Sequence, residues 1–128
     1  MYKRYSKIIV RDWKDDVLMG KRNDSGLWTQ PGGAAKTGEC PYTCAFREFL
    51  EETGVSLKSL KLVNVSINKD KNMIYVFEGQ LPDEYEFDTS HDPDKEVDNW
   101  LFIDPNTVKE QLHVPIEYNY VLQYWINN

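Results

Sequence analysis

Glu48, Glu51 and Glu52 stand at i, i+3 and i+4 in the stretch AFREFLEETG, residues 45–54. A helix steps about 100° per residue, so it would set all three carboxylates on one face. Like charges at this spacing cost a helix roughly 0.2–0.5 kcal/mol per pair. A solvated acidic face usually mixes signs. Here no lysine falls between Lys36 and Lys58, and Arg47 is the one cation in the stretch. A hard divalent cation would supply the missing charge, because Mg²⁺ and Mn²⁺ favour carboxylate oxygens and often bridge protein to phosphate. The chemistry such a cluster can do is to hold metal ions against phosphate.

The element that must carry these glutamates is bounded by Pro41 and Gly54. Proline is tolerated in a helix's first turn and glycine favours the position just past its end. The residues between are dense in helix formers. The spacing predicts a helix over 41–53, with Phe46, Phe49, Leu50 and Thr53 on the face opposite the glutamates. KRYSKIIV (3–10) reads as a strand and VLMGKR (17–22) as its hairpin partner across Lys14-Asp15-Asp16. Trp28 to Gly33 is a short extended stretch ending in a Pro-Gly-Gly turn. LKLVNVSI (60–67) and MIYVFEGQL (73–81) are two strands joined by a polar turn, and VDNWLFI (97–103) is another. Residues 82–96 hold seven acidic side chains and read as a mobile acidic loop. Asp104 and Pro105 suit the N-cap and first position of a short helix to about Leu112, and Pro115 opens a last helix over 116–125. Strands alternating with few helices suggest a mixed sheet between helices, its strand order left open.

A chain of 128 residues fits one domain, 1–128, with a single core. Its 41% hydrophobic fraction, with four Trp, eight Tyr and five Phe, argues for a packed globule rather than disorder. There is no run of ~18 apolar residues to span a membrane. The start MYKRYSKIIV lacks the apolar core of a signal peptide, so the cytoplasm is the expected compartment. A net charge of −6 argues against a nucleic-acid footprint. The same charge would repel a phosphate substrate unless metal ions bridge, so the expected partner is a small molecule carried on metal, bound by a monomer or homodimer. Cys40 and Cys44 lie four apart, with only His91 and His113 to complete a zinc site; reduced thiols are expected.

Residues 33–55 read GAAKTGECPYTCAFREFLEETGV. Gly33 is followed by five residues and Glu39, then by seven residues and Arg47-Glu48-Phe49, Leu50, Glu51-Glu52, Thr53, Gly54 and Val55. This resembles the Nudix box, G-x5-E-x7-R-E-U-x-E-E-x-G-U, at every defined position, and GLWTQPGG before it is similar to the family's usual approach to the box. At background frequencies of roughly 5–7% per residue type, the seven fixed positions would coincide by chance about once in 10⁸ windows. The resemblance implies an α/β Nudix fold, an α/β/α sandwich with a mixed β-sheet. It also implies Mg²⁺-dependent hydrolysis, with Mn²⁺ as an alternative ion, of a phosphoanhydride in a nucleoside diphosphate-linked substrate.

By the same resemblance Glu48, Glu51, Glu52 and the carbonyl of Gly32 are the implied metal ligands. Arg47 pairs with carboxylates to fix them, and Glu39 belongs to the same network. Glu48 is expected to take the proton of the attacking water. Many family members add an acid from a loop ahead of a strand containing Trp. Here that strand holds Trp100, and Glu96 is the first candidate, then Asp94 and Asp92. Arg22 could meet phosphates or be a surface cation; Trp28 could stack on a base or pack under the Pro-Gly-Gly turn. The base-reading residues of the nucleotide-sanitising branch have no match at Tyr118 and Asn119. The signatures of coenzyme A and NADH enzymes are absent, and Asp70, Lys71 and Asn72 stand where ADP-ribose enzymes carry a proline. A nucleoside triphosphate is the first expectation, with dinucleoside polyphosphates and nucleotide sugars as alternatives. A non-catalytic nucleotide sensor is the alternative of another class, though such domains typically lose box glutamates and this chain keeps all four.

Overall fold

A strand buried on both faces has no water to satisfy its backbone N–H and C=O groups, so its edges must be paired. Ile8, Ile9 and Val10 are fully buried at the end of β1 (Arg4–Val10), and both of its edges are taken. β6 (Met73–Gln80) runs parallel along one edge and β4 (Gly32–Ala34) antiparallel along the other. β5 (Ser59–Ile67) pairs antiparallel with β6, which completes a mixed sheet in the order β4-β1-β6-β5. The β5–β6 turn is built on Asn68, whose Oδ1 accepts the N–H groups of Asp70 and Asn72 at 3.0 Å each. A second, antiparallel sheet has the order β3-β2-β7, from β2 (Val17–Arg22), β3 (Trp28–Thr29) and β7 (Val97–Ile103). The computed structural model describes residues 2–93 and 97–107.

The expected β1–β2 hairpin does not form. The turn is present, with the Asp12 carboxylate accepting from Lys14 and Asp16 N–H, but pairing ends at a single bridge, Arg11 to Val17. The edges of β1 belong to β4 and β6, so β2 turns away into its own sheet. The Pro-Gly-Gly segment is likewise a crossover rather than a turn. Thr29 faces Gly20 in one sheet, Gly32 faces Lys7 in the other, and the Pro31 carbonyl accepts the Ile8 N–H at 2.9 Å between them.

The predicted helix forms over the expected residues as α1 (Pro41–Thr53). Gly54 ends it at φ 75° and donates to the Leu50 carbonyl at 2.9 Å. Ala45, Phe49, Val55 and Leu57 pack against Ile8, Val10, Leu18, Phe77, Val97 and Trp100 in one core cluster. Ile9, Val17, Met19, Ile74 and Val76 form a second on the other side of β1. One helical face differs from expectation. Leu50 is 48% exposed and Glu52 is buried. The buried arc runs through Ala45, Phe49 and Thr53, and Glu52 lies three and seven residues beyond Phe49 and Ala45, so it turns inward with them.

Among its described residues, 82–93, the acidic segment is anchored at Phe87 and Asp88. Asp88 N–H donates to the Thr53 carbonyl at 2.8 Å, and Phe87 packs on the first core cluster. Residues 105–107 are helical, and the Asp104 carboxylate accepts the Asn106 N–H at 2.7 Å, as its N-cap reading requires. The remainder of that expected helix, and the last helix over 116–125 with Tyr118 and Asn119, lie outside the described residues. Among the described residues, no helix is long and apolar enough to cross a membrane.

Candidate active site

Arg47 organises the carboxylates. Its Nε and Nη2 donate to the two oxygens of Glu39, both at 2.8 Å, the fork geometry in which guanidinium–carboxylate pairing is strongest. Nη1 donates to Glu48 and to Glu51 at 3.1 Å each, and Nη2 also reaches the Ala34 carbonyl at 3.2 Å. One side chain therefore ties three box glutamates to β4. Glu39 is held ready for it by the turn before the helix, where its carboxylate accepts the Lys36 N–H at 3.1 Å and its carbonyl accepts from Arg4 at 2.8 Å.

The Arg47 guanidinium holds the Glu39 carboxyl down to about 2, against an ordinary value of 4.5. A depressed carboxyl pKa contributes stability that is present above the unfolded value and lost as pH falls through the folded one. Glu39→Gln is therefore expected to lower stability at neutral pH and to flatten the loss between about pH 4.5 and 2. Urea unfolding at a series of pH values checks this; parallel curves for parent and variant would contradict it.

Glu52 is set apart from its neighbours. It is buried, its Oε1 accepts the Gly32 N–H at 2.8 Å, and its main-chain carbonyl accepts the Trp100 indole N–H at 3.2 Å. Desolvation pushes its carboxyl well above the ordinary range, and the charges of Glu48 and Asp92 add to the shift; Lys7 and the Gly32 N–H oppose it. Two glycines make the closeness possible. A Cβ on Gly33 would sit 2.5 Å from the Glu48 carboxylate carbon. At Gly32, φ is 146°, and a Cβ would collide with the Ser6 carbonyl.

The structure thus brings Glu39, Arg47, Glu48, Glu51, Glu52 and Gly32 together. Of the acids expected from the loop, Asp94 and Glu96 lie outside the described residues. Asp92, the third choice, is 5% exposed and near enough for its charge to act on Glu52. His91 is exposed beside Asp88. Arg22 and Trp28 come together elsewhere. With Lys21, Asp98 and Leu101 they line a cleft of about 520 Å³. Lys21 is opposite Trp28 and Met19 is opposite Leu101, so this is the sheet face turned away from Leu18 and Trp100, which pack on the α1 side. Arg22 is forked onto Asp24 at 3.0 and 2.8 Å. Lys7 was missed by sequence reasoning. It is buried opposite Gly32, and the signal was its place in strand alternation between Tyr5 and Ile9. Cys40 is an exposed thiol; Cys44 is buried, which pushes its thiol up to about 11.

Among the described residues, no three Asp, Glu, His or Cys side chains converge as a metal cage. Arg47 Nη1 holds one oxygen each of Glu48 and Glu51. The donors nevertheless fit a hard divalent ion. They are carboxylate oxygens at i and i+3 of one helix beside a glycine backbone, with a further buried carboxylate whose ionised form needs a counter-charge.

A family model described as NUDIX domain matches residues 1–124. A Bacillus subtilis protein, provisionally named an 8-oxo-dGTP diphosphatase, is 43% identical over 54 residues, 42% of this chain and 36% of the relative. An RNA pyrophosphohydrolase of Dinoroseobacter shibae is 34% identical over 64 residues, 48% of this chain and 40% of the relative. The matched stretches thus span less than half of either curated relative. A MutT protein of Bacillus halodurans superposes with a TM-score of 0.74 over 98% of this chain and 83% of that one, at 22% identity, which speaks to the fold. With the family model matched over nearly all its length, the chain belongs to the Nudix family and has its fold.

Proposed function

We propose that the chain hydrolyses a phosphoanhydride bond in a nucleoside diphosphate-linked substrate, a nucleoside triphosphate first, as a Mg²⁺-dependent Nudix pyrophosphohydrolase. Mn²⁺ is the alternative ion. The observation that carries this reading is that Arg47 holds Glu39, Glu48 and Glu51 beside Gly33, while Glu52 is bonded to the neighbouring Gly32. The diphosphatase and pyrophosphohydrolase named among its relatives support the same reaction class.

Glu48, Glu51, Glu52 and the Gly32 carbonyl would hold the ion. When bound, it would neutralise phosphate oxygens and make a water acidic enough to be deprotonated near neutral pH. The protein's own part is positioning and proton transfer. Arg47 fixes Glu48 and Glu51 relative to each other and to Glu39, so their placement needs no reorganisation when substrate arrives. Glu48 touches both Arg47 and Gly33 and is the base that takes the water's proton. Glu52, anchored at both its carboxylate and its carbonyl, fixes the depth of the site.

Among the described residues, Asp92 is a loop acid whose charge acts on Glu52, so it is tested together with Glu96, the first candidate from the sequence. Asp92→Asn is expected to lower kcat about 10–100-fold with little change in KM, because the loss falls on the transition state. Glu96→Gln is measured beside it, and Asp83→Asn, an exposed charge, should change kcat by less than about twofold. An Asp92→Asn protein as active as the parent would remove Asp92 from the site. The proposal as a whole is tested by phosphate and pyrophosphate release from a panel of nucleoside triphosphates, dinucleoside polyphosphates and nucleotide sugars. A protein that binds members of the panel and turns over none would be a sensor rather than a hydrolase.

A further inference from the structure

Among the described residues nine large apolar side chains are exposed, and five of them share one surface: Tyr42, Leu50, Leu62, Val65 and Ile67. Exposed apolar residues scattered singly are ordinary, whereas a contiguous patch marks an interaction site. Two stripes build this one. On α1, Tyr42, Phe46 and Leu50 stand at i, i+4 and i+8, along the flank away from Glu48 and Glu51. On β5, the register shifts between Leu62 and Asn64. The extra residue puts Leu62 on the same face as Val65 and Ile67, where regular alternation would set it opposite. The three stand across from Phe77, Tyr75 and Met73 of β6. The Tyr42 ring joins the stripes, with its centroid 5.0 Å from that of Phe46 and 6.1 Å from that of Phe77. α1 lies over β1 and β4, which leaves this face of β5 beside the helix rather than beneath it.

We propose that this surface is the contact between two copies of the chain. The charge pattern selects that partner. The chain carries 15 basic and 21 acidic residues, a net charge of −6, so two copies repel except across a surface without charge. Neither stripe bears a charge, and nor does the β6 face between them, because Lys61 and Glu78 face each other on the other side of the sheet. A charged partner would lose water here and find no counter-charge. A second copy brings an equally uncharged surface by symmetry, as the isologous contact of a two-fold dimer requires. A standard interface sets about 20–30 residues a side around an apolar core, and the two stripes supply that core. The chain's own last segment is less suited to cover it. That segment departs after Thr107, close to Ile103, which packs on the second core cluster, across β1 from this surface. The contact is face to face rather than along the β5 edge, since a bulge twists an edge strand away from pairing. Glu48 and Glu51 lie on the other flank of α1, so such a dimer leaves both sites open.

The test is mass in solution, which needs no substrate and stands apart from the proposed hydrolysis. Sedimentation equilibrium of the whole chain, from micromolar to hundreds of micromolar, is expected to show a monomer–dimer equilibrium that reaches twice the chain mass. Ile67→Lys places an ammonium in the contact. Ile67 is 67% exposed in the single chain, so the variant is expected to keep the parent's Tm while its dissociation constant rises at least about tenfold. Trp13→Ser, at an exposed aromatic outside this surface, is expected to dimerise as the parent does. A parent that stays monomeric throughout would overturn the inference. So would an Ile67→Lys protein that dimerises like the parent, or a Trp13→Ser protein that loses the dimer. Should Ile67→Lys melt below the parent, Leu62→Ser and Val65→Ser, which add no charge, decide in its place. Both must weaken the dimer for the inference to stand.

Discussion

Glu52→Gln is expected to fold like the parent and to lose at least ~10²-fold in turnover, the usual scale of a lost catalytic group. The two consequences have different origins. The carboxylate is buried, where desolvation and the charges of Glu48 and Asp92 disfavour its ionised form more than Lys7 and the Gly32 N–H favour it. A neutral amide of the same shape keeps an oxygen for that N–H and sheds the cost of a charge out of water. In metal-free buffer the variant's Tm should therefore equal or exceed the parent's. Adding Mg²⁺ should raise the Tm of the parent, because an ion that binds only the folded state stabilises it, and should raise that of the variant much less. Thermal melts with and without Mg²⁺, paired with turnover, separate the roles. A variant that unfolds in metal-free buffer where the parent does not would make Glu52 a structural carboxylate.

Arg47→Ala is the larger disturbance to the fold. It leaves Glu39, Glu48 and Glu51 without their shared cation and cuts the tie to the Ala34 carbonyl. Breaking a buried ion pair from one side typically costs about 3–5 kcal/mol; Arg47 keeps some solvent contact, so about 2–4 kcal/mol is expected here. Arg47→Lys should recover little of this, since an ammonium cannot make the two parallel bonds to Glu39 while reaching the other two carboxylates. Turnover should fall in both variants through misplaced Glu48 and Glu51, and excess Mg²⁺ should restore part of the stability by supplying positive charge. Urea unfolding checks the magnitude. A lysine variant as stable as the parent would show that charge alone, and not the fork, holds the network.

The parts of this molecule that were legible in the sequence are those governed by local rules. The ends of α1 follow from Pro41 and Gly54, and β7 follows from the β-branched and aromatic run VDNWLFI. The resemblance to the Nudix box implied that Arg47 pairs with carboxylates and that Glu39 shares the network, and Arg47 bonds Glu39, Glu48 and Glu51. Pairing was less legible, because it depends on which edges distant segments occupy. The tight turn at Lys14-Asp15-Asp16 is local, yet β6, more than sixty residues after β1, decides that β2 cannot pair with β1. Burial of charge was also hidden. Glu52 looks like its neighbours in the sequence and differs only because the α1 arc through Phe49 carries it inward.

Metal-dependent hydrolysis is tested most directly by release of phosphate or pyrophosphate from the nucleotide panel in Mg²⁺, in excess chelator, and in chelator followed by restored Mg²⁺. The expected result is hydrolysis of at least one nucleoside diphosphate-linked substrate with Mg²⁺, rising into mildly alkaline pH as the attacking water loses its proton, silence in chelator, and recovery when Mg²⁺ returns. Full turnover in excess chelator would contradict the role given to Glu48, Glu51 and Glu52.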